Sequence, residues 1–363
     1  MKRILIIGNN NGGNSVTDGG RIKIRLFFSL LSKEGHILEI ADLYKWKLHV
    51  VRLISAIKKA IKNKDIILIM AGPNGCRPII KLVNHLNKKR YSRVVFCPLG
   101  IGSLDILLKD KNPDEVRKFM SCKDFLNISD DSFKKELQLL DKIILQNDVI
   151  CKTYRQFYNL SNVCVLQNFR DAIISCKNTD CSSPILKIVY MARITNNKGI
   201  FDLIDVVKRI NKNTDFQISL DIFGDNQLNK EESSLFFSLL DKSISYLGEL
   251  FDSDAIALLK KYDLFCLPTK YHGEGTSGSF IEAMIAGTPV LLSSYSQADS
   301  LIKDGKTGFI FEIGNTDSLY EKLIYISKNK EMLRVVSKNA QIDAVKYTYE
   351  SNKSNFLNYI IGD

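Results

Sequence analysis

Residues 264–291 read LFCLPTKYHGEGTSGSFIEAMIAGTPVL, and this stretch determines the fold class of the second half of the chain. The short apolar run LFCLP favours a buried strand, the glycine-rich and serine-rich stretch after it favours a loop, and a helical pattern begins near Ser279. Residues 289–292 are apolar again and predict the next strand. A strand, a helix and a second strand in this order are typical of a parallel sheet.

The same alternation of short apolar runs and amphipathic helical stretches extends over the whole chain. Near-continuous apolar strands that are separated by helices indicate parallel sheets with both faces covered. We predict strands at residues 4–7, 37–40, 66–70, 94–97, 143–146, 163–166, 187–191, 219–223, 245–247, 264–267 and 289–292. Because 363 residues are too many for one ordinary compact core, the predicted fold class is α/β, with two Rossmann-like, doubly wound domains that face each other across a cleft.

The domain boundaries follow from composition. The sequence NFRDAIISCKNTDCSSP, which ends in Pro184, is polar and has no clear period, so it reads as a linker. The last stretch is helical by pattern, and no strand follows it. We predict an N-terminal domain at 1–168, a linker at 169–186, a C-terminal domain at 187–336, and a C-terminal helix at 337–363 that packs back on the N-terminal domain.

Positive charge is concentrated at the start of the chain. The first 100 residues contain 19 Lys and Arg against 5 Asp and Glu, whereas the remaining 263 contain 32 against 35, and the formal net charge is +11. No RNP motif, zinc finger or helix-turn-helix pattern accompanies this charge, so a nucleic-acid partner is not expected. A surface that meets anionic lipid or an anionic substrate fits the distribution better.

Two basic segments of this region are amphipathic. One helical face of RLISAIKKAIKNK, residues 52–64, carries Leu53, Ile54, Ile57 and Ile61. PIIKLVNHLNKKR has a similar pattern and ends in three cations. Such helices can rest on a lipid surface, but crossover helices of a parallel sheet bury the same kind of stripe, so both interpretations stay open. Our hypothesis is that the N-terminal domain docks on the inner face of an anionic membrane.

Targeting and redox signals indicate the compartment. The apolar run at 4–7 is too short for a signal peptide, and the run at 66–71 is far shorter than the roughly 20 residues of a membrane-spanning helix. The eight cysteines are scattered singly, without a CxxC pair of the kind that binds zinc. We therefore predict a cytoplasmic protein with reduced cysteines, located peripherally on the cytoplasmic membrane if the basic segments bind lipid.

Two glutamates flank the glycine-rich loop. Glu274 lies in the loop and Glu282 in the predicted first turn of the helix, with seven residues between them. The small residues between them, whose backbone amides can approach an anion at the helix N-terminus, are Gly275, Thr276, Ser277, Gly278 and Ser279. A carboxylate beside such a site can accept hydrogen bonds from ribose or sugar hydroxyls. The alternative for an isolated pair is a capped loop with solvated glutamates.

A second group of polar residues follows the predicted strand at 187–191. Arg193 and Lys198 lie in one loop between this strand and the helical stretch FDLIDVVKRI. Two cations opposite an amide-rich helix start can bind a diphosphate, although a loop with two basic residues is common by itself. The next strand ends in DIFGDN, where Gly224 indicates a sharp turn.

Taken in order, five segments resemble the C-terminal domain of glycosyltransferase family 4, which contains retaining enzymes of the GT-B fold. The segments, within roughly residues 187–312, are MARITNNKGIFDLIDVV, DIFGDN, YLGELFDSDAIALLKKYDLFCLPT, HGEGTSGSFIEAMIAGTPVL and IKDGKTGFIF. In the first half, RILIIG, EGHILEI, CVLQNFRD and the pair Gly19 and Gly20 are also similar to the family. The resemblance extends to bacterial transferases that make polysaccharides and lipid-linked glycans. It implies that Gly19, Gly20, Gly224 and residues 275–279 contribute to the donor site.

The resemblance also implies the substrates and the roles of four residues. The C-terminal domain is expected to bind a nucleotide-sugar donor, and the N-terminal domain a glycan or lipid-linked acceptor. Glu274 is expected to contact the donor sugar and Glu282 the ribose hydroxyls. Arg193 and Lys198 are expected to stabilise the diphosphate leaving group in place of a metal ion, so that no metal and no cofactor are required.

One departure from the family concerns the residue near the donor sugar. Many relatives place a histidine there, after a strand of the first domain, whereas this chain has CPLGIGSLD with Ser103 and Asp105 as the candidates. His85 lies before that strand on a helical segment. His272 lies close to Glu274 but is a single loop histidine. The first-domain partner of the sugar therefore stays open.

Two other functions remain alternatives. A sugar-nucleotide epimerase or hydrolase can use the same scaffold, but an epimerase needs further acid and base residues in the cleft, and no obvious set is present. A non-catalytic nucleotide-binding partner protein has no need to keep both glutamates and both cations. We therefore predict a hexosyl-type, metal-independent glycosyltransferase of cell-surface polysaccharide or glycolipid synthesis, with the donor base, the sugar and the acceptor left open.

Overall fold

The chain forms two compact units. The first consists of Met1–Gln167 together with Asn352–Asp363, and the second is Asn168–Ser351. Each unit contains one six-stranded parallel sheet, so the predicted α/β fold with two parallel sheets is confirmed. The computed structural model describes residues 1–10, 19–99, 131–146, 148, 151–152, 154–155, 159–177, 182–250, 255–271, 274–295 and 298–362.

The first sheet has the strand order β2-β1-β3-β4-β5-β6, and all its pairs are parallel. Its strands are β1 (Arg3–Gly8), β2 (Ile37–Asp42), β3 (Ile66–Met70), β4 (Val94–Phe96), β5 (Lys142–Leu145) and β6 (Val163–Val165). The helices described before β6 are α1 (Gly19–Lys33), α2 (Val50–Lys62), α3 (Pro73–Leu86), α4 (Asp131–Gln138) and a short 3-10 helix at Trp46–Leu48. All residues of β3 and β4 are buried, as expected for parallel strands covered on both faces.

The second sheet has the order β12-β11-β10-β7-β8-β9, again with parallel pairs only. Its strands are β7 (Ile185–Met191), β8 (Gln217–Phe223), β9 (Ile244–Tyr246), β10 (Leu264–Leu267), β11 (Val290–Ser293) and β12 (Phe309–Phe311). The helices described after β7 are α5 (Ile200–Asn213), α6 (Lys230–Ser238), α7 (Ala255–Leu259), α8 (Gly278–Ala286), α9 (Ala298–Leu301), α10 (Thr316–Lys328), α11 (Met332–Ala344), α12 (Tyr349–Ile361) and 3-10 helices at Asn196–Lys198 and Val345–Tyr347. This is the doubly wound arrangement, in which the strand order reverses between β7 and β10.

The apolar stripes of α2 and α3 belong to the core of the first unit. Leu53 and Ile57 of α2 are 5% and 0% exposed, and Ile61 packs against the same core. In α3, Ile79 and Ile80 are buried there too. The crossover interpretation of these stripes is therefore confirmed, and they do not form a lipid-facing surface. Within the described part of the chain, no helix is both long and apolar enough to cross a bilayer.

Strand β12 is missing from the prediction. It is only three residues long, and Phe309 and Phe311 are its buried positions. Its pairing with β11 identifies it as a strand.

The C-terminal stretch predicted as one helix at 337–363 is divided into two. Helix α11 ends at Ala344, a 3-10 turn follows, and α12 begins at Tyr349. The break occurs because Thr348 is extended and its Oγ1 accepts a hydrogen bond from the Ser351 amide at 3.4 Å. A threonine in this position caps the start of the following helix.

Helix α12 belongs to both units. From Asn352 onward the chain is part of the first unit, where the Phe356 and Phe27 rings meet at 4.8 Å between centroids. The described part of the predicted linker at 169–186 clusters with the second unit instead. A backbone hydrogen bond from the Arg170 amide to the Tyr347 carbonyl, at 2.9 Å, contributes to this placement.

Candidate functional site

Four of the predicted residues lie at one edge of the second sheet. Arg193 and Lys198 follow β7, Glu274 follows β10, and Glu282 lies on α8, the helix after that loop. Strands β7 and β10 are neighbours, and the strand order reverses between them. In open α/β sheets, ligands bind outside the carboxyl ends of the strands at this point. The topology therefore brings the two predicted groups together.

The loop after β7 lies directly against the end of β10. Gly199 has a φ of +73°, and a Cβ there would lie 1.9 Å from the Pro268 carbonyl oxygen, so only glycine permits this approach. The Lys270 amide also donates a hydrogen bond to the Asn197 carbonyl at 2.8 Å. These contacts hold Lys198 beside the loop that carries the first glutamate.

Lys198 and Glu274 form a largely buried ion pair. The Lys198 ammonium donates a hydrogen bond to Oε2 of Glu274, and the two side chains are 14% and 9% exposed. The hydroxyl of Thr269, a fully buried residue, lies 3.2 Å from the same oxygen. Glu274 therefore has both a charged partner, Lys198, and a hydroxyl partner, Thr269, within the protein itself.

Two tyrosines that the sequence did not indicate lie near this glutamate. Burial, with the negative charge of Glu274 as the second cause, raises the pKa of both Tyr190 and Tyr295 well above the usual value. Both phenols therefore stay protonated and neutral. The Tyr190 hydroxyl donates to the Arg193 carbonyl at 2.8 Å, whereas the buried Tyr295 hydroxyl has no hydrogen-bond partner among the described residues.

Arg193 differs from Lys198 because its side chain is exposed. Within the described residues, its guanidinium makes no ion pair and no hydrogen bond. Its loop is shaped by Gly224, which has a φ of +144° and whose Cβ would lie 1.9 Å from the Ala192 carbonyl oxygen. Gly224 therefore permits the end of β8 to approach the loop that carries Arg193.

Glu282 lies in the second turn of α8 rather than in the first. The helix begins at Gly278, because the Ser277 hydroxyl caps it by accepting a hydrogen bond from the Phe280 amide at 3.2 Å. Glu282 is then the fifth helical residue. Its Oε1 accepts a hydrogen bond from Nε of Arg170 at 2.7 Å. Sequence reasoning assigned Arg170 only to the segment that leaves the first domain.

The remaining predicted residues have different positions. Gly19 and Gly20 are the first two residues of α1 in the first unit, and a Cβ on Gly19 would meet no atom within 4 Å. His85 is exposed in the last turn of α3. Three candidates, Ser103, Asp105 and His272, lie outside the described residues. In the described ranges, no three His, Cys, Asp or Glu side chains group together as metal ligands would.

Comparison with known families identifies the second unit. Residues 183–343 match the family model described as Glycosyl transferases group 1. This range contains Arg193, Lys198, Glu274 and Glu282. The chain therefore carries a glycosyl transferases group 1 domain, and the site described above lies within it.

Curated relatives match over part of their length. The chain is 26% identical over 156 residues to the capsular polysaccharide biosynthesis glycosyltransferase CapM of Staphylococcus aureus, a match that covers 42% of the chain and 40% of that protein. It is 28% identical over 167 residues to alpha-monoglucosyldiacylglycerol synthase of Acholeplasma laidlawii, covering 45% of the chain and 40% of the relative. The chain thus spans less than half the length of these curated relatives.

The fold also has solved counterparts. The structure of Anabaena Alr3699/HepE in complex with UDP-glucose superimposes with a TM-score of 0.67 at 14% identity, covering 98% of both chains. This likeness shows that the fold is the GT-B fold predicted from the sequence.

Proposed function

We propose that this chain is a retaining, hexosyl-type glycosyltransferase that moves a sugar from a nucleotide-sugar donor to a glycan or lipid-linked acceptor. The reaction would belong to cell-surface polysaccharide or glycolipid synthesis. The observation that carries the proposal is the Lys198–Glu274 ion pair at the carboxyl ends of β7 and β10, with Arg193 in the same loop as Lys198 and Glu282 on the helix that follows Glu274. The capsular polysaccharide and glycolipid relatives support the reaction class.

Each residue has a role in this proposal. The donor diphosphate lies between Arg193, Lys198 and the backbone amides at the start of α8, where the helix dipole favours an anion. Glu282 accepts hydrogen bonds from the ribose hydroxyls, and Glu274 contacts the donor sugar. Negative charge on the diphosphate increases as the glycosidic bond breaks, so both cations bind the transition state more strongly than the ground state.

Nucleotide binding by wild type and by two glutamate variants tests the function. In a thermal-shift panel of UDP-, GDP-, ADP- and TDP-sugars, we expect one nucleotide class to raise the unfolding temperature, because ligand at about 100 times its Kd stabilises by about 2.7 kcal/mol. UDP-glucose is the first candidate, since the Anabaena structure contains it. Glu282→Ala should lose most of this shift, whereas Glu274→Gln should keep it and lose turnover.

The outcomes of this panel separate the residue roles from the function. No shift with any nucleotide sugar, and no sugar transfer, would contradict the proposed function. A normal shift in Glu282→Ala would contradict only the assignment of Glu282 to the ribose. Binding of a nucleotide sugar with no turnover on any acceptor or on water would favour the non-catalytic alternative.

We expect turnover to persist after addition of EDTA. In this proposal, Arg193 and Lys198 offset the negative charge of the diphosphate, so no metal ion is needed for that role. Product formation is measured with and without EDTA and after addition of magnesium or manganese. A loss that either metal restores would contradict the metal-independent mechanism.

We also propose that the first unit binds the inner face of the cytoplasmic membrane, through a surface other than the buried helix stripes. Leu48, at the end of the 3-10 helix before α2, and Val51, in the first turn of α2, are 75% and 81% exposed, and the nearby Lys45 and Arg52 are exposed as well. Exposed apolar side chains among cations suit an anionic lipid surface, where each cation adds about 1 kcal/mol of attraction.

Liposome flotation tests this surface. We expect binding to anionic vesicles that falls with ionic strength, and weaker binding in the Leu48→Ser/Val51→Ser double variant. Val335, which is 62% exposed in the second unit, provides the matched control as Val335→Ser. Equal recovery with neutral and anionic vesicles, or none at low salt, would contradict the membrane proposal and leave the transferase proposal intact.

A further inference from the structure

Asn168 and Arg170, on either side of Phe169, contact the loop before α8 and Glu282 on α8. Nδ2 of Asn168 donates a hydrogen bond to the Thr276 carbonyl at 3.0 Å, in the loop before α8. Nε of Arg170 donates to Oε1 of Glu282 at 2.7 Å. We call these three residues the 168–170 segment. It belongs to the second unit, so these contacts lie within one compact unit.

The backbone of the 168–170 segment is fixed from outside the site. The Arg170 amide donates to the Tyr347 carbonyl at 2.9 Å, and the Tyr349 amide donates to the Arg170 carbonyl at 2.8 Å. Phe169 is 2% exposed, and its ring lies 6.0 Å from the Tyr349 ring. Nη1 of Arg170 donates to the Phe169 carbonyl at 3.1 Å. The guanidinium is therefore held in one orientation before any ligand binds.

The guanidinium lies on the first residue of α8. A Cβ on Gly278 would lie 2.0 Å from Nη2 of Arg170, so a larger residue at this position would displace the guanidinium. A cation is unfavourable at a helix N-terminus, because the helix dipole places partial positive charge there. The stability of α8 alone therefore does not explain why an arginine side chain lies at its N-terminus. The ion pair with Glu282, whose side chains are 17% and 15% exposed, offsets the repulsion and orients the carboxylate.

We propose that Arg170 is a positioning residue for recognition of the donor ribose. It holds Oε1 of Glu282, while Oε2 makes no hydrogen bond among the described residues and is left for a ribose hydroxyl. A carboxylate with one oxygen held rotates less freely, so less conformational freedom is lost when the ribose binds. This inference rests on the proposed function, since it assumes that Glu282 meets the ribose.

Titration calorimetry with ribose and deoxyribose nucleotides tests Arg170. The probes are UDP, GDP and ADP with their 2′-deoxy and 3′-deoxy counterparts, and the proteins are wild type, Arg170→Met, Arg170→Lys, Glu282→Gln and the Arg170→Met/Glu282→Gln double variant. We expect wild type to prefer the ribose form of one nucleotide. Arg170→Met should weaken binding of this ribose nucleotide about tenfold. It should weaken binding of the tighter of the two deoxy counterparts much less. Arg170→Lys should restore part of the preference.

The double variant and a surface control distinguish positioning from a structural effect. If Arg170 acts through Glu282, the double variant binds no worse than Glu282→Gln alone. Arg209, whose Nη2 lies 3.0 Å from Oδ1 of Asp317 in an exposed ion pair, provides the control as Arg209→Met and should keep the wild-type preference. An Arg170→Met protein with the full ribose preference would overturn the inference and leave the function intact. Failure of every nucleotide to bind wild type would overturn both.

Discussion

Replacing Lys198 with alanine is expected to lower kcat by about 10²- to 10³-fold, the usual effect of removing one preorganised group that stabilises transition-state charge. In the proposed reaction, the ammonium meets the diphosphate as the sugar leaves. It is also the charged partner of Glu274, so its removal changes the residue that contacts the sugar. Initial rates of sugar transfer at saturating donor measure this effect.

Stability has to be separated from catalysis in this variant. Lys198→Ala leaves the buried Glu274 carboxylate without its cation, and breaking a buried ion pair in this way costs on the order of 3–5 kcal/mol of unfolding free energy. The Lys198→Met/Glu274→Gln double variant removes both charges and should regain most of the unfolding temperature. If it also regained turnover, the catalytic role of Lys198 would be wrong.

Lys270 offers a matched control on the loop after β10. Its ammonium lies 2.8 Å from Oδ1 of Asp202, but its side chain is 41% exposed. Exposed ion pairs contribute about 0–1 kcal/mol, so Lys270→Ala should keep the wild-type unfolding temperature and rate. Equal losses in Lys198→Ala and Lys270→Ala would show that any cation near this loop matters, and would contradict a specific role for Lys198.

The fold was predictable because the strands of a parallel sheet are nearly continuous apolar runs. Such runs identify β3 and β10 with the bounds that the structure has. The same pattern cannot separate a core-facing helix stripe from a lipid-facing one, because both have the same period. Burial of Leu53 and Ile57 in the core decides between them for α2.

The candidate site was predictable only in part, because the spacing of residues along the chain indicates only which nearby residues share a loop or helix. The loop and helix that hold Glu274 and Glu282 are local features of one strand–loop–helix unit. The partners of these glutamates are distant: Lys198 lies 76 positions from Glu274, and Arg170 lies 112 positions from Glu282. No periodicity links residues at such separations. The strand order places β7 beside β10 and so brings Lys198 to Glu274, whereas backbone hydrogen bonds to Tyr347 and Tyr349 hold Arg170.

Arg193→Ala is expected to lower kcat by about 10²-fold while the unfolding temperature stays at the wild-type value. The guanidinium is exposed and makes no ion pair with the residues that the structure describes, so its loss leaves no buried charge behind. Surface substitutions of this kind change unfolding free energy by about 0.5 kcal/mol or less. Arg193 thus tests diphosphate stabilisation without the stability effect that accompanies Lys198.

Two further measurements make this test specific: the affinity for the donor, and the rate of the conservative variant Arg193→Lys. Because charge on the diphosphate increases in the transition state, Arg193→Ala should lower kcat more than it raises the Kd of the nucleotide sugar. Arg193→Lys keeps the charge but loses the planar, bidentate geometry, so it should recover part of the rate. A variant that binds donor weakly but turns over at the wild-type kcat would assign Arg193 to ground-state binding alone. A variant with unchanged kcat and unchanged Kd would remove Arg193 from the site altogether.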